Sequence, residues 1–502
     1  MCPIKKKFLV DGGINSIGEK KDENRKANIR VMYLTMTMTM LGIAVGVSST
    51  WPYLQKIDSE VSPEFLGWTN FGFNLVAIGS DVLLGRWMHL RSCREPLIGS
   101  IFAGILSGLL YAIAQGVGGD NGLWIVLVSR LFLGFTRGNL TITRAVVSES
   151  TTPEERSHAM INLVISMTGG FALGSGIQAL ISLLGERELY ISALRLHFNL
   201  YTIPAYLLVC LGIINGLLIF HFVKTAPKKE ESRRQTDKEE KPFKGKLLTC
   251  LTLIGMFAIT NFCLSLMETL TTPFVQHQFS LTRAKAVWYG GIVFTCQGLI
   301  GICQQGVLRF LVLRFSDRLV VAVVYGCLML SFLLYIPLGN TPLMVAEEFA
   351  GNITRNGTSG QQQFVGCPAS FDWCRDTPQI WMPQYVFGAV FFAIGYSSCL
   401  GLLVSIYTKI VAAKRQGKVV SLISSSGNLG RLTAPILGST SYVTIGPGYT
   451  YTWVFCALLA FFLAYLIQFK KMIPSPVKLD QDEFSINESE SADDLVLFVT
   501  PV

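Results

Sequence analysis

The chain has 502 residues, of which half are apolar and only 15% are charged. Soluble domains carry about 25% charged residues, so this composition excludes a disordered chain, a collagen-like chain and an ordinary soluble enzyme. The formal net charge of +9 does not indicate a nucleic-acid-binding protein, because the basic residues form short clusters between apolar runs and not one continuous patch. The composition is typical of a polytopic membrane protein.

Apolar runs predict the transmembrane helices. A helix that spans a bilayer needs about 20 mostly apolar residues, and the sequence has twelve such runs. Their approximate limits are 31–50, 65–84, 97–117, 123–143, 157–184, 199–223, 247–270, 286–308, 319–338, 380–408, 418–442 and 451–469. The first 30 residues are polar and rich in lysine, so we expect no removable signal peptide. The predicted fold class is an all-α integral membrane protein with twelve transmembrane helices.

The distribution of lysine and arginine predicts the orientation of these helices. If both termini lie in the cytosol, 32 of the 42 basic residues fall on the cytosolic side and seven on the opposite side. Basic loops are retained on the cytosolic side of a membrane, so we expect cytosolic termini. The remaining three basic residues are Arg130, Arg137 and Arg431, which lie inside predicted spans.

A hydrophilic segment divides the predicted spans into two sets of six. It holds nine basic and five acidic residues, which favours a cytosolic linker. Two six-helix repeats with a substrate site between them are the architecture of many secondary transporters. The predicted organisation is a cytosolic N-terminal tail (1–30), a six-helix bundle (31–223), the linker (224–246), a second six-helix bundle (247–469) that includes a lumenal glycosylated loop (339–379), and a cytosolic acidic tail (470–502).

The long loop before the tenth span has the features of a lumenal segment. Asn352 and Asn356 each begin an N-glycosylation sequon. Cys367 and Cys374 are the only two cysteines in an extended loop on the non-cytosolic side, where an oxidising compartment permits a disulfide. We therefore predict glycosylation of both asparagines and take the two cysteines as candidate disulfide partners.

Three arginines follow one another at intervals of seven residues in and beyond the fourth span. This spacing is close to two helical turns and places Arg130, Arg137 and Arg144 on one helix face. Charges within a membrane usually face a partner or a watery cavity. For Arg137 we favour the solute pathway. Arg130 either pairs with an acid or lines the pathway, and Arg144 either reaches the cytosolic surface or takes part in a gate.

Three further charges complete the predicted site. Arg431 lies deep in the eleventh span, and we expect it to face a cavity or a neighbouring helix. Glu268 either carries a coupling proton or pairs with a cation, and Asp81 either bridges to Arg144 as a gate or lies at the membrane surface. The arginines within the spans outnumber the acids, which indicates an anionic solute.

Sequence signatures of enzymes are absent from the chain. It has no phosphate-binding loop of the ATPase type, no zinc-protease or hydrolase motif, and five scattered histidines. We therefore expect no enzyme activity, no cofactor, no metal site and no direct drive by ATP.

The fourth span and the loop after the second span resemble the major facilitator superfamily. The residues of the first similarity are Arg130-Leu-Phe-Leu-Gly134, and those of the second run from Gly85 to Arg94. The signature of that superfamily has an acid where this chain has His89, so Asp81, one turn earlier, is the candidate substitute in the gate. The resemblance implies two bundles of six helices and the transport of a small molecule or ion across the lipid bilayer.

A closer resemblance is to the lysosomal ceroid-lipofuscinosis branch, the type of major facilitator superfamily domain-containing protein eight. The similar segments are 268–273, 366–378, 416–417 and 427–435. The chain departs from this branch at His277, where an acid is usual, and at Ala434, where a glycine is usual. The resemblance implies a late-endosomal or lysosomal membrane, with the plasma membrane as the alternative location.

Three functional classes fit these observations. The first is a secondary transporter that moves a small anionic solute by alternating access. In it Arg137 and Arg431 would bind the solute, and Glu268 and Asp81 would serve coupling or gating. The second is an anion channel, for example for chloride, with the arginines lining its pore. The third is a non-transporting receptor or scaffold that holds protein partners through the linker or the acidic tail.

Overall fold

A computed structural model describes most of the chain as α-helix. The described residues are 7–185, 187–191, 196–223, 247–339, 341–344, 366–368, 370–411 and 416–471. The helices are α1 (Lys7–Val45), α2 (Thr50–Ile57), α3 (Pro63–Leu90), α4 (Arg94–Val117), α5 (Gly119–Arg137), α6 (Asn139–Glu149), α7 (Pro153–Ser182), α8 (Ile203–Phe222), α9 (Leu247–Gln278), α10 (Arg283–Arg314), α11 (Asp317–Leu334), α12 (Trp373–Asp376), α13 (Met382–Val411) and α14 (Gln416–Gln468). Strands β1 (Leu189–Ile191) and β2 (Leu196–Phe198) form an antiparallel hairpin.

The helices account for all twelve predicted spans. Ten helical segments of the described residues are long and apolar enough to cross a membrane. The last of them turns at Gly446, whose φ of 83° is a conformation that glycine adopts readily, so this segment holds two spans. The remaining span is α3. The all-α membrane fold predicted from the apolar runs is therefore confirmed.

The first predicted span ends earlier than expected. The run was assigned to 31–50, but α1 ends at Val45 and a turn over residues 46–49 leads into α2. The N–H groups of Gly46 and Val47 bond to carbonyl oxygens three residues back. The hydroxyl of Thr50 donates to the carbonyl of Gly46 at 2.6 Å. Glycine and serine favour turns, and this four-residue turn contains one glycine and two serines.

The fourth predicted span is interrupted. Helix α5 ends at Arg137 and α6 begins at Asn139, because the N–H of Gly138 bonds to the carbonyl of Phe135, three residues back. The fourth span is confirmed as one apolar segment, Gly119–Glu149, and the turn at Gly138 lies inside it. Arg144 belongs to a different helix from the other two.

The helices pack into two groups, α1–α8 and α9–α14. Within the first group α7 lies against α1, and within the second α14 lies against α9. A Cβ at Gly174 of α7 would overlap the carbonyl oxygen of Leu41, and a Cβ at Gly430 of α14 would overlap that of Ala258. Small residues let helix backbones approach closely in membranes. Both groups thus use a glycine to bring their fifth span onto their first.

The two groups meet along two pairs of helices, α7 with α10 and α3 with α14. We call the end of the molecule that carries α2, the hairpin and the Cys367–Cys374 loop the disulfide end. The opposite end, where Arg91, Arg94 and Arg318 lie, is called the basic end.

A disulfide joins Cys367 and Cys374. The indole N–H of Trp373, within this loop, donates to the carbonyl of Val443 at 3.2 Å. The same indole ring packs over the bend at Gly446. The bonded loop therefore covers the turn between the last two spans.

Replacing Cys367 and Cys374 together by serine is expected to lower the free energy of unfolding by about 2 kcal/mol, because a closed loop of this length restricts the unfolded chain. Thermal unfolding of the purified protein in detergent measures the effect. The control is Cys210→Ser, at an exposed free cysteine, which should leave the midpoint unchanged. An unchanged midpoint in the double variant would contradict a stabilising role for the bond.

An ion pair ties α2 to the hairpin region at the disulfide end. The carboxylate of Glu188 lies 2.8 Å from Lys56 Nζ and 2.5 Å from His197 Nδ1. It also accepts a hydrogen bond of 2.9 Å from the amide of Gln115 on α4. Burial acts to raise the pKa of Glu188, but the hydrogen bonds from Lys56 and His197 outweigh it and hold the pKa below its ordinary value of 4.5.

The lowered pKa of Glu188 predicts a pH-dependent contribution to stability. A carboxyl whose folded pKa is depressed stabilises the fold above its unfolded pKa, and this contribution disappears as pH falls through the folded pKa. Glu188→Gln should therefore lower the unfolding midpoint at pH 7 and at pH 5.5, and should have little effect at pH 3. The control is Glu60→Gln, at an exposed carboxylate. A loss of the same size at all three pH values would contradict the prediction.

Candidate functional site

An ion pair lies inside the second group of helices. Arg431 Nη2 of α14 is 2.9 Å from Glu268 Oε2 of α9, and the two side chains are 11% and 20% exposed. Of the two roles open for Glu268, a coupling group or the partner of a cation, the structure shows the pairing with a cation. This ion pair joins α14 to α9, so Arg431 faces a neighbouring helix, which is one of the two positions expected for it.

Arg137 reaches this pair from the first group of helices. Its Nη1 donates to Asn74 Oδ1 at 3.2 Å, and its guanidinium lies over the ring of Phe73. Asn74 in turn donates to Ser265 at 3.5 Å, and Ser265 donates to the main-chain carbonyl of Arg431 at 2.9 Å. A chain of polar contacts therefore crosses from one half of the molecule to the other.

We call the region between the halves where Arg137, Glu268 and Arg431 lie the crossing. The positive and negative charges at the crossing do not balance. Arg137 interacts electrostatically with both Arg431 and Glu268, and it forms no ion pair among the residues that the structure describes. Asp81 also acts on Arg137, and Arg144 acts on Asp81, so three guanidinium groups share two carboxylates. The phenol of Tyr396, on α13, also interacts with both arginines. A buried charge without a counter-charge is costly, so the arrangement favours an anion between the arginines.

Sequence reasoning missed three polar residues of this site. Asn74, Ser265 and Tyr396 are neutral, and neutral polar side chains are common in transmembrane helices, where they hydrogen-bond to neighbouring helices. One signal was present: Asn70 and Asn74 are four residues apart and so share a face of α3. Asn70 donates to Thr269 of α9 at 3.1 Å.

Arg130 lies apart from the crossing. Its guanidinium contacts the carbonyl of Gly46 at the end of α1 and lies over the ring of Tyr111 on α4. Both neighbours belong to the first group of helices. The structure therefore brings together Arg137, Glu268 and Arg431 of the predicted pathway, and leaves Arg130 in a separate place.

The predicted gate residues lie on the basic-end side of the site. Asp81 Oδ1 accepts a hydrogen bond of 2.6 Å from the hydroxyl of Thr141. Arg144 is exposed, and its charge acts on Asp81. The direct partner of Asp81 is thus Thr141, and the expected bridge to Arg144 is an interaction of nearby charges. His89 belongs to α3, but its side chain lies outside the described part of the chain.

Contacts between the halves close the disulfide end. Trp51 Nε1 donates to the amide oxygen of Gln276 at 2.9 Å, and Gln276 Nε2 donates to Gln55 at 3.0 Å. The hydroxyl of Thr272 donates to the carbonyl of Ser48 at 3.2 Å. Trp51 and Gln55 belong to α2, so these contacts lie at the disulfide end and close the site on that side.

A buried histidine adds to this closure. His277 is 1% exposed, and its Nδ1 is 3.0 Å from the hydroxyl of Tyr442. Its ring meets Trp51 of the other half edge-on, and Phe371 and Trp373 of the disulfide loop pack beside it. The position where the resembling branch usually has an acid is thus part of an aromatic plug in this chain.

The sequence pattern of the Major Facilitator Superfamily matches residues 32–351. The chain belongs to this superfamily. Major facilitator superfamily domain-containing protein 8 of Xenopus laevis is 30% identical to this chain over 498 residues, which are 94% of the chain and 97% of the relative. The resemblance to that branch is therefore confirmed, and the chain is a multi-pass membrane protein of a family of transporters.

Solved structures of transporters share the fold of this chain at low sequence identity. The human organic anion transporter MFSD10 (TETRAN) aligns with a TM-score of 0.54 and 16% identity, over 88% of this chain and 99% of that one. A bacterial homologue of the human lysosomal transporter Spinster aligns with a TM-score of 0.59 and 14% identity, over 89% and 98%. The nucleoside transporter NupG aligns with a TM-score of 0.59 and 12% identity, over 88% and 100%.

Several predicted features fall outside the described residues. These are the glycosylation sites Asn352 and Asn356, the linker 224–246 and nearly all of the tail 470–502. They stay predictions from the sequence.

Proposed function

We propose that this protein is a secondary transporter that moves a small anionic solute across an endolysosomal membrane by alternating access. One observation carries the proposal: Arg137 and Arg431 face the same crossing between the halves with Glu268 as their shared carboxylate. The crossing has a net positive charge that an anionic group of the solute would neutralise. Arginine suits this role because its planar guanidinium binds carboxylates and phosphates through paired hydrogen bonds.

The closed disulfide end supports alternating access. The Trp51–Gln276 and Thr272–Ser48 contacts join the two halves on one side of the site, whereas Arg144 on the other side is exposed. A carrier needs such a seal on one side at a time, because its halves rock about a fixed central site. A channel would need a continuous path through the same contacts. The seal therefore favours a carrier over the anion channel.

Glu268 is the candidate coupling group. It is the carboxylate that neutralises Arg431, so its protonation would free the guanidinium to bind the solute anion. Deprotonation would restore the ion pair and weaken the hold on the solute. Asp81 and Arg144 would serve the gate at the basic end, where they approach each other across α3 and α6.

The orientation and the membrane are part of the same proposal. The basic end would face the cytosol because basic loops are retained there, and the disulfide end would face the lumen. The sequons at Asn352 and Asn356 and the disulfide fit a lumenal loop. The endolysosomal membrane is what the resemblance to the lysosomal branch implies.

An electrical measurement on proteoliposomes tests the transport class. The purified protein would be reconstituted on a sensor and given gradients of chloride and of organic anions, with and without a proton gradient. The proposal expects small, saturable currents that depend on one class of anion and on pH. Large currents that persist for all small anions without a proton gradient would contradict the carrier and favour the channel. For solutes that give no current, uptake of labelled solute replaces the current as readout.

A further inference from the structure

The last turn of α9 carries contacts between the halves at the disulfide end. Gln276 and His277 both meet Trp51 of α2, the first through a hydrogen bond and the second through its ring. Pro273 lies inside α9, just before this turn. A proline within a helix removes one backbone hydrogen bond and weakens the helix at that point. The turn Phe274–Gln278 therefore depends on contacts from outside α9 to hold it in place.

The loop closed by the Cys367–Cys374 bond, which we call the disulfide loop, supplies such contacts. Its Phe371 and Trp373 rings stack on each other with 5.6 Å between the ring centroids. Both rings lie beside the imidazole of His277, at centroid distances of 6.0 and 6.4 Å. His277 thus touches the disulfide loop in its own half and α2 in the other half.

The disulfide loop is itself anchored at two points. Its Trp373 donates to the carbonyl of Val443, beside the bend in α14. Just after the loop, the backbone N–H of Ile380 donates to the side-chain oxygen of Gln278 at 2.8 Å, at the end of α9. Both bonded cysteines are buried. A covalently closed and anchored loop resists movement of the helix turn that it covers.

Opening of the disulfide end would break this row of contacts. The site can open at this end only if the last turn of α9 leaves α2, and the contact of His277 with Trp51 is then lost. Aromatic rings with centroids about 4.5–7 Å apart attract each other. The rings of the disulfide loop therefore favour the position of His277 in which it meets Trp51.

We propose that the disulfide loop is a latch that holds the last turn of α9 against α2 and so keeps the site closed at the disulfide end. Phe371 and Trp373 are the positioning residues of this latch, and the covalent bond keeps them together. The inference rests on the alternating access of the proposed function, because it requires that the disulfide end can open. It does not depend on the charge of the solute. Weakening the latch would favour the state that is open at the disulfide end and closed at the basic end.

Hydrogen–deuterium exchange of the full-length protein in detergent, without added solute, tests the latch. Phe371→Ala should speed the exchange of backbone amides in α2 and in the last turn of α9 by about 3- to 10-fold, the factor that corresponds to one lost aromatic pair. The exchange rate follows the population of the open state. Because α2 belongs to the other half, a merely local loosening of the loop would not reach it. Amides in the basic-end turns of α3 and α6 should exchange more slowly.

Three variants complete the experiment. Trp373→Phe keeps an aromatic ring but loses the hydrogen bond to Val443, so it should fold and give a smaller rise at the same two peptides. Replacing Cys367 and Cys374 together by serine should give a rise of the same kind, because the bond no longer holds the rings together. Trp381→Ala is the matched control, at an aromatic side chain that is 76% exposed, and should change nothing.

The pattern of exchange separates this proposal from the proposed function. Faster exchange in α2 and α9 with slower exchange at the basic end supports both. The same rise with an unchanged basic end supports the latch and contradicts alternating access. The latch is overturned if exchange in α2 stays unchanged, if it rises throughout the second group of helices, or if Trp381→Ala gives an equal rise.

Discussion

Replacing Arg431 by glutamine should reduce saturable transport by about 10- to 100-fold, since a hydrogen bond to a charged group contributes about 1.5–3 kcal/mol. The variant removes one of the two guanidinium groups at the crossing and leaves Glu268 without its partner. The measurement is the transport rate in proteoliposomes, for whichever anion gives the largest signal with the unaltered protein.

A double-mutant cycle separates solute binding from a purely structural ion pair. Glu268→Gln alone should keep binding of the anion but lose its dependence on pH, because the site then keeps both positive charges. Combining Glu268→Gln with Arg431→Gln removes the pair as a unit and leaves no unpaired charge between these two residues. If Arg431 binds the solute, the combined variant stays inactive. Recovery of transport in the combined variant would show that the pair is structural and would contradict the proposed site.

Placing a methyl group at Gly170 should destabilise the first group of helices by about 1–3 kcal/mol, the usual cost of overpacking. A Cβ at this position would lie 2.5 Å from the carbonyl oxygen of Thr37 in α1. A backbone atom cannot move aside as a side chain can, so α7 and α1 must separate. The midpoint of thermal unfolding of Gly170→Ala and its yield of monodisperse protein measure the loss.

The neighbouring glycine supplies the control. Gly169 precedes Gly170 in α7, and a Cβ there would meet no atom within 4 Å. Alanine favours helix over glycine by up to about 1 kcal/mol, so Gly169→Ala should be neutral or slightly stabilising. Equal losses in the two variants would contradict the close packing of α7 on α1.

The spans and the charged residues of the site could be predicted from sequence because their physical signals are strong. A run of about 20 apolar residues has few uses other than crossing a bilayer. An arginine inside such a run is costly enough to mark a special position. Arg137, Glu268 and Arg431 were found in this way, and the structure brings the three together.

The contacts between the two halves could not be predicted from the sequence. Asn74 and Ser265 are 191 positions apart, and nothing in either local sequence specifies the other as its partner. The spacing of Arg130 and Arg137 shows that they share a face of α5, but not that one meets α1 and α4 while the other meets α3. The break at Gly138 was missed for a related reason, because a helix tolerates a single glycine and the tertiary packing decides whether it continues.

The most direct test of the central claim is a rescue of positive charge at Arg137. Arg137→Cys should lose anion-driven transport in proteoliposomes. Reaction with a small cationic thiol reagent should restore part of it, whereas an anionic reagent of similar size should not. The same reagents on the unaltered protein control for its free cysteines. Full transport by Arg137→Cys before any reaction, or equal rescue by both reagents, would contradict an anion site formed by this arginine.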